Sequence, residues 1–278
     1  MRRRIAITVT ILLAAAITLI GQNLLRNPIP ASAAKLSEHE LLEINTMPPQ
    51  GQLMRLLERT INHYEGAAEE IEKRADGWLG QIQTTPELHK LCEVAYFSSD
   101  LRVRAAALEV WRIEAAVRLN DETVDQLINS AAASTDRKYF YLSQLGILGN
   151  RGIQRQKVFD TLLDYARDPE ANVRAAAING LALLGTEDTI APLLEIFRSD
   201  TSHDLRERAA CNLADSGMLN RKLRKKAVPE LVRFAQDPSM DQTTRKWVFQ
   251  ALREITQKQI GDDASAWVSW YGAEAGQF

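Results

Sequence analysis

Cysteine is nearly absent from this chain: Cys92 and Cys211 are the two among 278 residues, too few for a disulfide framework. Aromatic residues make up 6%, and many apolar positions are Ala, which suits helices packed closely on one another better than a β-rich architecture. The four histidines, His39, His63, His89 and His203, are scattered. His89 and Cys92 share a helical face at i,i+3, but two ligands without further partners seldom make a metal site. His89 belongs on the surface and Cys92 in the core. No G-x-x-x-x-G-K-[ST], G-x-S-x-G or H-E-x-x-H occurs, so nothing marks a phosphate loop, a serine nucleophile or a zinc protease. No catalytic residue, metal ligand or cofactor-binding residue is assigned, and a protein without enzymatic activity is expected.

The remainder is ordinary for a globular protein with a sizeable core: 45% hydrophobic and 25% charged residues. Residues 1–33 stand apart. Arg2, Arg3 and Arg4 precede an uncharged apolar run from Ile5 to Ile20, as an export signal begins. Ala31-Ser32-Ala33 reads as an A-x-A cleavage site, although the gap from Ile20 is long for a cleaved signal. This uncharged stretch of sixteen residues, with Leu24 and Leu25 beyond, is also nearly enough for an uncleaved membrane anchor, whose basic flank would stay in the cytoplasm. Signal peptide and signal anchor both remain open, and both place the rest of the chain on the periplasmic or extracytoplasmic side. Residues 1–33 hold four Arg and no acid, so without them 30 Lys+Arg face 36 Asp+Glu. A net charge of −6 is the wrong sign for a nucleic-acid binder.

Asn27 to Gln50 contain Pro28, Pro30, Pro48 and Pro49 among Ala and Ser, with a short helical patch at Leu41 and Leu42, and residues 34–50 read as a linker. In 51–84, Leu53, Leu57, Ile61, Tyr64, Ala68, Ile71, Ala75, Trp78 and Ile82 recur in steps of three and four. That predicts a long amphipathic helix, breakable at Gly66, which is an N-terminal cap over the first of the repeats that follow or dimerises as a coiled coil.

A repeat fills residues 85–260. A basic residue returns at Arg104, Lys138, Arg174, Arg206 and Arg245, at spacings of 34, 36, 32 and 39. Seven residues on stand Trp111, Leu145, Leu181, Leu213 and Leu252; eleven on stand Ala115, Gly149, Gly185, Gly217 and Thr256. The first set shares a helical face with the position four after the basic residue, and Gly at eleven is where a helix can turn into a left-handed cap. Asp100, Ser134, Ser202 and Asp241 lie four before and are N-cap residues; in the third copy Asp168-Pro169 is expected to supply the cap and first helical position. A second helix precedes each of these, approximately 86–98, 122–133, 154–167, 188–198 and 222–236. Pro192 and Pro229 lie at matching places in two of them and should start or kink the helix.

Val103-Arg104 and Val173-Arg174, the Ala runs after them, Leu183-Leu184-Gly185 and Asp237-Pro238 together resemble HEAT repeats, nearest to the short bacterial variety that includes phycobilisome-lyase-type repeats. The resemblance departs at Lys138 and at Thr256. It implies an all-α fold, an α-solenoid of about five helix-turn-helix repeats with N- and C-terminal capping helices. It also implies that the basic ladder is structural, bonding the neighbouring repeat.

Tyr139-Phe140-Tyr141 aligns with Ala105–Ala107 and Ala175–Ala177 of the flanking repeats. Bulky side chains between two small-residue faces would fill space without overpacking. Alternatively Tyr139 or Tyr141 points outward on the second-helix face; with Trp247 they are the candidate partner-binding residues. Cys92 and Cys211 fall in the first and fourth repeats, too far apart for a disulfide when helix layers are ~8–10 Å apart. The basic run Arg221–Lys226 is a solvated face or a contact for an acidic partner or anionic lipid. In 261–278, Asp262-Asp263 start a short helix that puts Trp267 and Trp270 or Tyr271 on one face, as a cap. The expected function is an extracytoplasmic protein-binding scaffold or assembly factor. A lyase-like enzyme and a membrane-tethered spacer are the rivals.

Overall fold

Ser37, Thr85, Asp100, Asn120, Asn220 and Asp241 each satisfy an otherwise orphan amide at a helix N-terminus. The computed structural model describes residues 34–98, 100–134 and 136–274, so the export segment 1–33 lies outside the described residues. The chain divides into two units, residues 1–118 and 119–278, a division that falls inside the segment expected to be one continuous solenoid.

The first unit holds α1 (Glu38–Asn45), α2 (Pro49–Ile61), α3 (Ala67–Arg74), a 3-10 turn (Ala75–Trp78), α4 (Pro86–Tyr96) and α5 (Leu101–Glu114). Residues 34–50 are more ordered than a linker. Ser37 caps α1 by accepting from the Glu40 amide at 3.1 Å, Ile44 is fully buried, and Leu36 N–H donates to the Glu65 carbonyl at 3.1 Å. The apolar stripe from Leu53 is two helices, because His63 (φ 60°) and Gly66 (φ 90°) turn the chain between α2 and α3. Their apolar faces close on α4 and α5 in one core that includes Leu53, Leu57, Ile71, Trp78, Cys92 and Val110. Burial pushes the Cys92 thiol up to about 12, which leaves it an unreactive core residue. Arg112 is wholly buried. It donates to Glu109 at 2.6 Å, to the Val117 carbonyl at 2.6 Å and to Asp76 at 2.8 Å, pinning the 3-10 turn to α5.

The second unit continues as helix pairs: α6 (Asp121–Ala133) with α7 (Lys138–Asn150), α8 (Arg155–Tyr165) with α9 (Ala171–Leu184), and α10 (Ile190–Ser199) with α11 (His203–Cys211). Then come α12 (Arg221–Lys225), α13 (Val228–Gln236), α14 (Gln242–Thr256) and α15 (Ala264–Glu274). This is the all-α, stacked arrangement of a solenoid. Pro192 and Pro229 sit in the first turns of α10 and α13, where a missing N–H costs nothing. The expected cap at Asp168 is displaced: α9 starts at Ala171 with Glu170 at the N-cap, and Asp168 accepts from the Glu170 amide at 2.8 Å. Likewise α7 starts at Lys138, with Ser134 accepting from the Arg137 amide at 2.9 Å in the turn before it.

Of the positions eleven after the ladder residue, Gly185 alone takes the left-handed form (φ 56°). Any Cβ there would also meet Met218 at 2.6 Å, whose amide donates to the Ala182 carbonyl at 2.8 Å. Gly149 serves packing instead: a Cβ would lie 2.7 Å from Leu184 and 2.9 Å from Val158. At the C-terminus Trp267 is fully buried, donates to the Gly261 carbonyl at 3.0 Å, and meets Trp270 edge-on at 5.4 Å.

The closest helix approach joins α7 to α9, where a Cβ on Gly146 would strike the Gly180 carbonyl oxygen and approach Leu183 Cβ to 2.9 Å. Backbone cannot swing aside as a side chain can. Gly146→Ala is therefore expected to destabilise the protein by about 2 kcal/mol, read as a lower urea midpoint at unchanged slope.

Candidate interaction surface

The ladder residues fasten each helix pair at its turn. Arg104 donates to the Ser98 carbonyl at 2.7 Å, and Lys138 to the Ala131 and Ser134 carbonyls at 2.7 Å each. Arg174 donates to the Asp168 and Pro169 carbonyls at 2.9 and 3.0 Å. Arg206 donates to the Asp200 carbonyl at 2.7 Å, and Arg245 to the Asp237 and Met240 carbonyls at 2.6 and 3.1 Å. All five place a cation at the carbonyl end of the first helix of their own repeat, the negative end of its dipole. Two reach further. Arg174 forms a two-pronged pair with Asp200 of the next repeat at 2.8 and 3.0 Å, and Arg206 contacts Asp241 at 3.3 Å. Burial works to raise the Asp200 carboxyl, but hydrogen bonds from Arg174 and the Ser202 amide outweigh it and hold it below the usual carboxylate range.

Two residues after the ladder position stand Ala106, Phe140, Ala176, Arg208 and Trp247, of which Ala106 and Ala176 are buried and Phe140 and Arg208 exposed. Tyr139 is 49% exposed and Phe140 38%, while Tyr141 and Trp247 are half-buried. Three consecutive helical residues sweep about 200°, so one aromatic of the three can face the core. Tyr141 does so, in the register of buried Ala177, Ala209 and Val248. The expected filling of space by the whole aromatic run thus fails for Tyr139 and Phe140. Phe140 shares with Trp247 the position two after the ladder residue, but Ala106 and Ala176 are buried at that position, so counting from the ladder residue does not mark an outward face.

A separate feature lies on the first-helix face, where the sequence offers no candidate. A groove of about 770 Å3 runs between α10 and α13. Ile190, Ala191, Leu194, Pro229 and Phe234 form its apolar floor. Glu187 pairs with Lys226 at 2.5 Å at one end, and Arg198 with Asp237 at 3.1 Å at the other. A smaller cleft of about 140 Å3 lies between α8 and α10, sharing Glu195 and Ser199 with the first. None of Tyr139, Tyr141 and Trp247 lines either cleft. The available signal is the matched pair Pro192 and Pro229, which periodicity explains as helix starters alone.

The basic run Arg221–Lys226 is not a uniform solvated face. Arg224 donates to four carbonyls, of Ala214, Asp215, Gly217 and Leu219, at 2.5 to 2.9 Å. It thereby satisfies the end of the π-helical turn Asn212–Ser216. Lys226 belongs to the groove rim, and Arg221 and Lys222 remain exposed. Among the described residues, no group of three His, Cys, Asp or Glu is placed to hold a metal ion, and no helix is long and apolar enough to cross a membrane.

Arg174→Ala should cost about 2–3 kcal/mol at pH 7, since it strands a buried carboxylate and two carbonyls. A carboxyl held below its unfolded value stabilises above that value, ~3.9, and the contribution is lost as pH falls through the folded one. The gap between wild type and variant should therefore narrow below about pH 4. Urea titrations from pH 7 to pH 3 would measure it.

Neither a curated protein nor a solved structure matches the chain. A family model described as HEAT repeats matches residues 124–214, from α6 to the π-helical turn. The narrower likeness to phycobilisome-lyase-type repeats is no part of that match. Helix pairs, ladder and matched segment agree, so residues 124–214 carry HEAT repeats.

Proposed function

We propose that this protein is an extracytoplasmic scaffold or assembly factor that presents its repeat surface to a partner protein and carries no catalytic role of its own. HEAT repeats suggest a protein-interaction scaffold in general terms. The observation that carries the reading is the adjacent exposure of Tyr139 and Phe140 on a stack whose other large apolar side chains are mostly inside. Aromatic side chains give up much apolar area for little ordering entropy, which is why they anchor interfaces. The extracytoplasmic placement rests on the basic and apolar N-terminal segment. That segment delivers the chain either freed after Ala33 or still tethered.

The test is site-specific photocrosslinking in cells from positions 139 and 140, with the full chain at native level. One defined partner should crosslink, and Tyr139→Ala with Phe140→Ala should reduce its recovery at least tenfold. A chain that crosslinks to nothing from these positions, or from Trp247, overturns the scaffold reading in favour of a spacer. Protease accessibility in spheroplasts, with intact mass on the same sample, tests location. Protection from external protease would overturn the export reading.

A further inference from the structure

We infer that the groove between α10 and α13 receives an amphipathic helix of the partner protein, with its apolar stripe on the groove floor and carboxylates at the end marked by Arg198 and Arg233. This rests on the scaffold reading and names what that scaffold would hold.

The walls decide the form of the occupant. Both are α-helices whose own amides and carbonyls are already paired, so the trough offers an incoming chain no backbone partners. An extended segment would leave its peptide groups unsatisfied against Ile190, Leu194 and Phe234. A helix satisfies its own backbone and lays one apolar face into such a trough. The wall from Ile190 to Ser199 is ten residues, or about 15 Å at 1.5 Å per residue. That accommodates about three turns, with anchors at i, i+4 and i+7. Phe197 and Phe234 meet edge-on at 6.1 Å and hold the two walls in position below.

Charge decides the chemistry and direction. Toward the C-terminal end of both walls two guanidiniums stand exposed, the Arg198 and Arg233 side chains at 55% and 73%, with the exposed Glu195 carboxylate one turn before Arg198. Their carboxylate partners, Asp237 and Glu230, are 18% and 26% exposed. A visitor therefore meets two cations, each with N–H donors left over, a geometry that favours carboxylates. The opposite end shows no such bias, because Glu187 and Lys226 are paired and comparably exposed. The polarity sets one orientation for the bound helix.

The probe is a phage-displayed library of helix-constrained 14-residue peptides selected against the full chain. Enriched peptides should carry apolar residues at i, i+4 and i+7 with Asp or Glu clustered at one end. The strongest, synthesised and labelled, should bind the Arg198→Glu/Arg233→Glu variant at least tenfold more weakly. It should also bind Ala191→Trp, which fills the trough, more weakly, and Tyr139→Ala as well as wild type. Circular dichroism and urea midpoints confirm that both groove variants fold. No enrichment, basic or unpatterned peptides, or equal binding to the charge-reversed variant overturns the inference. So does a charge-reversal-sensitive affinity for phosphatidylglycerol vesicles without peptide binding, or a concentration-dependent dimer abolished by the same change. A cellular partner lost with Tyr139→Ala yet retained by both groove variants sinks this inference and leaves the scaffold standing. A chain without any partner sinks the scaffold first.

Discussion

Each helix pair of this protein turns on a cation from the second helix set against the carbonyl end of the first. The bond is local, spanning the turn from Ser98 to Arg104, from Ala131 to Lys138, and so on to Arg245. Two demands arise there. The last carbonyls of a helix lack partners, and they concentrate the negative end of its dipole. A long basic side chain entering from the next helix meets the second demand in every copy, and at Lys138, through the Ala131 carbonyl, the first as well. Lys138 shows that the charge and reach matter more than the guanidinium, since its ammonium finds two carbonyls by itself.

Stacking builds on that turn. Where the chain supplies Arg and an Asp in the next repeat, as with Arg174 and Asp200, the same side chain becomes the rivet between neighbours. Where it supplies glycine, as at Gly146 and Gly180, helices approach closely enough that no side chain intervenes. Between α10 and α13 neither device operates. Ion pairs at the two ends and the edge-on contact of Phe197 with Phe234 hold the helices, and the space between them stays open. The groove is thus what remains where close packing was not specified.

The repeat frame was legible because every copy carries the same physical requirement at the same place: an apolar face at fixed offsets and a cation after the turn. The caps were legible to within three residues, as Glu170 in place of Asp168 and Arg137 in place of Ser134 show. What a run of aromatics does was not. Tyr139, Phe140 and Tyr141 are alike in composition, and only the rotation of α7 against its neighbours separates the inward Tyr141 from the outward pair. Residues 34–50 misled for a related reason, since the segment that ends at Pro48-Pro49 buries Ile44 only because α2 and its neighbours stand ready to receive it.

By itself the sequence determined the class of the fold, the number and length of the repeating units and the positions of the ladder, since these depend on periodicity and on short-range bonds. Tertiary structure decided which repeats belong to which unit, which carbonyls Arg112 and Arg224 satisfy, and where the surface is left open. Those outcomes depend on distances between residues far apart in the chain. They arise from the summed fit of many side chains, and no single pattern along the sequence records that fit.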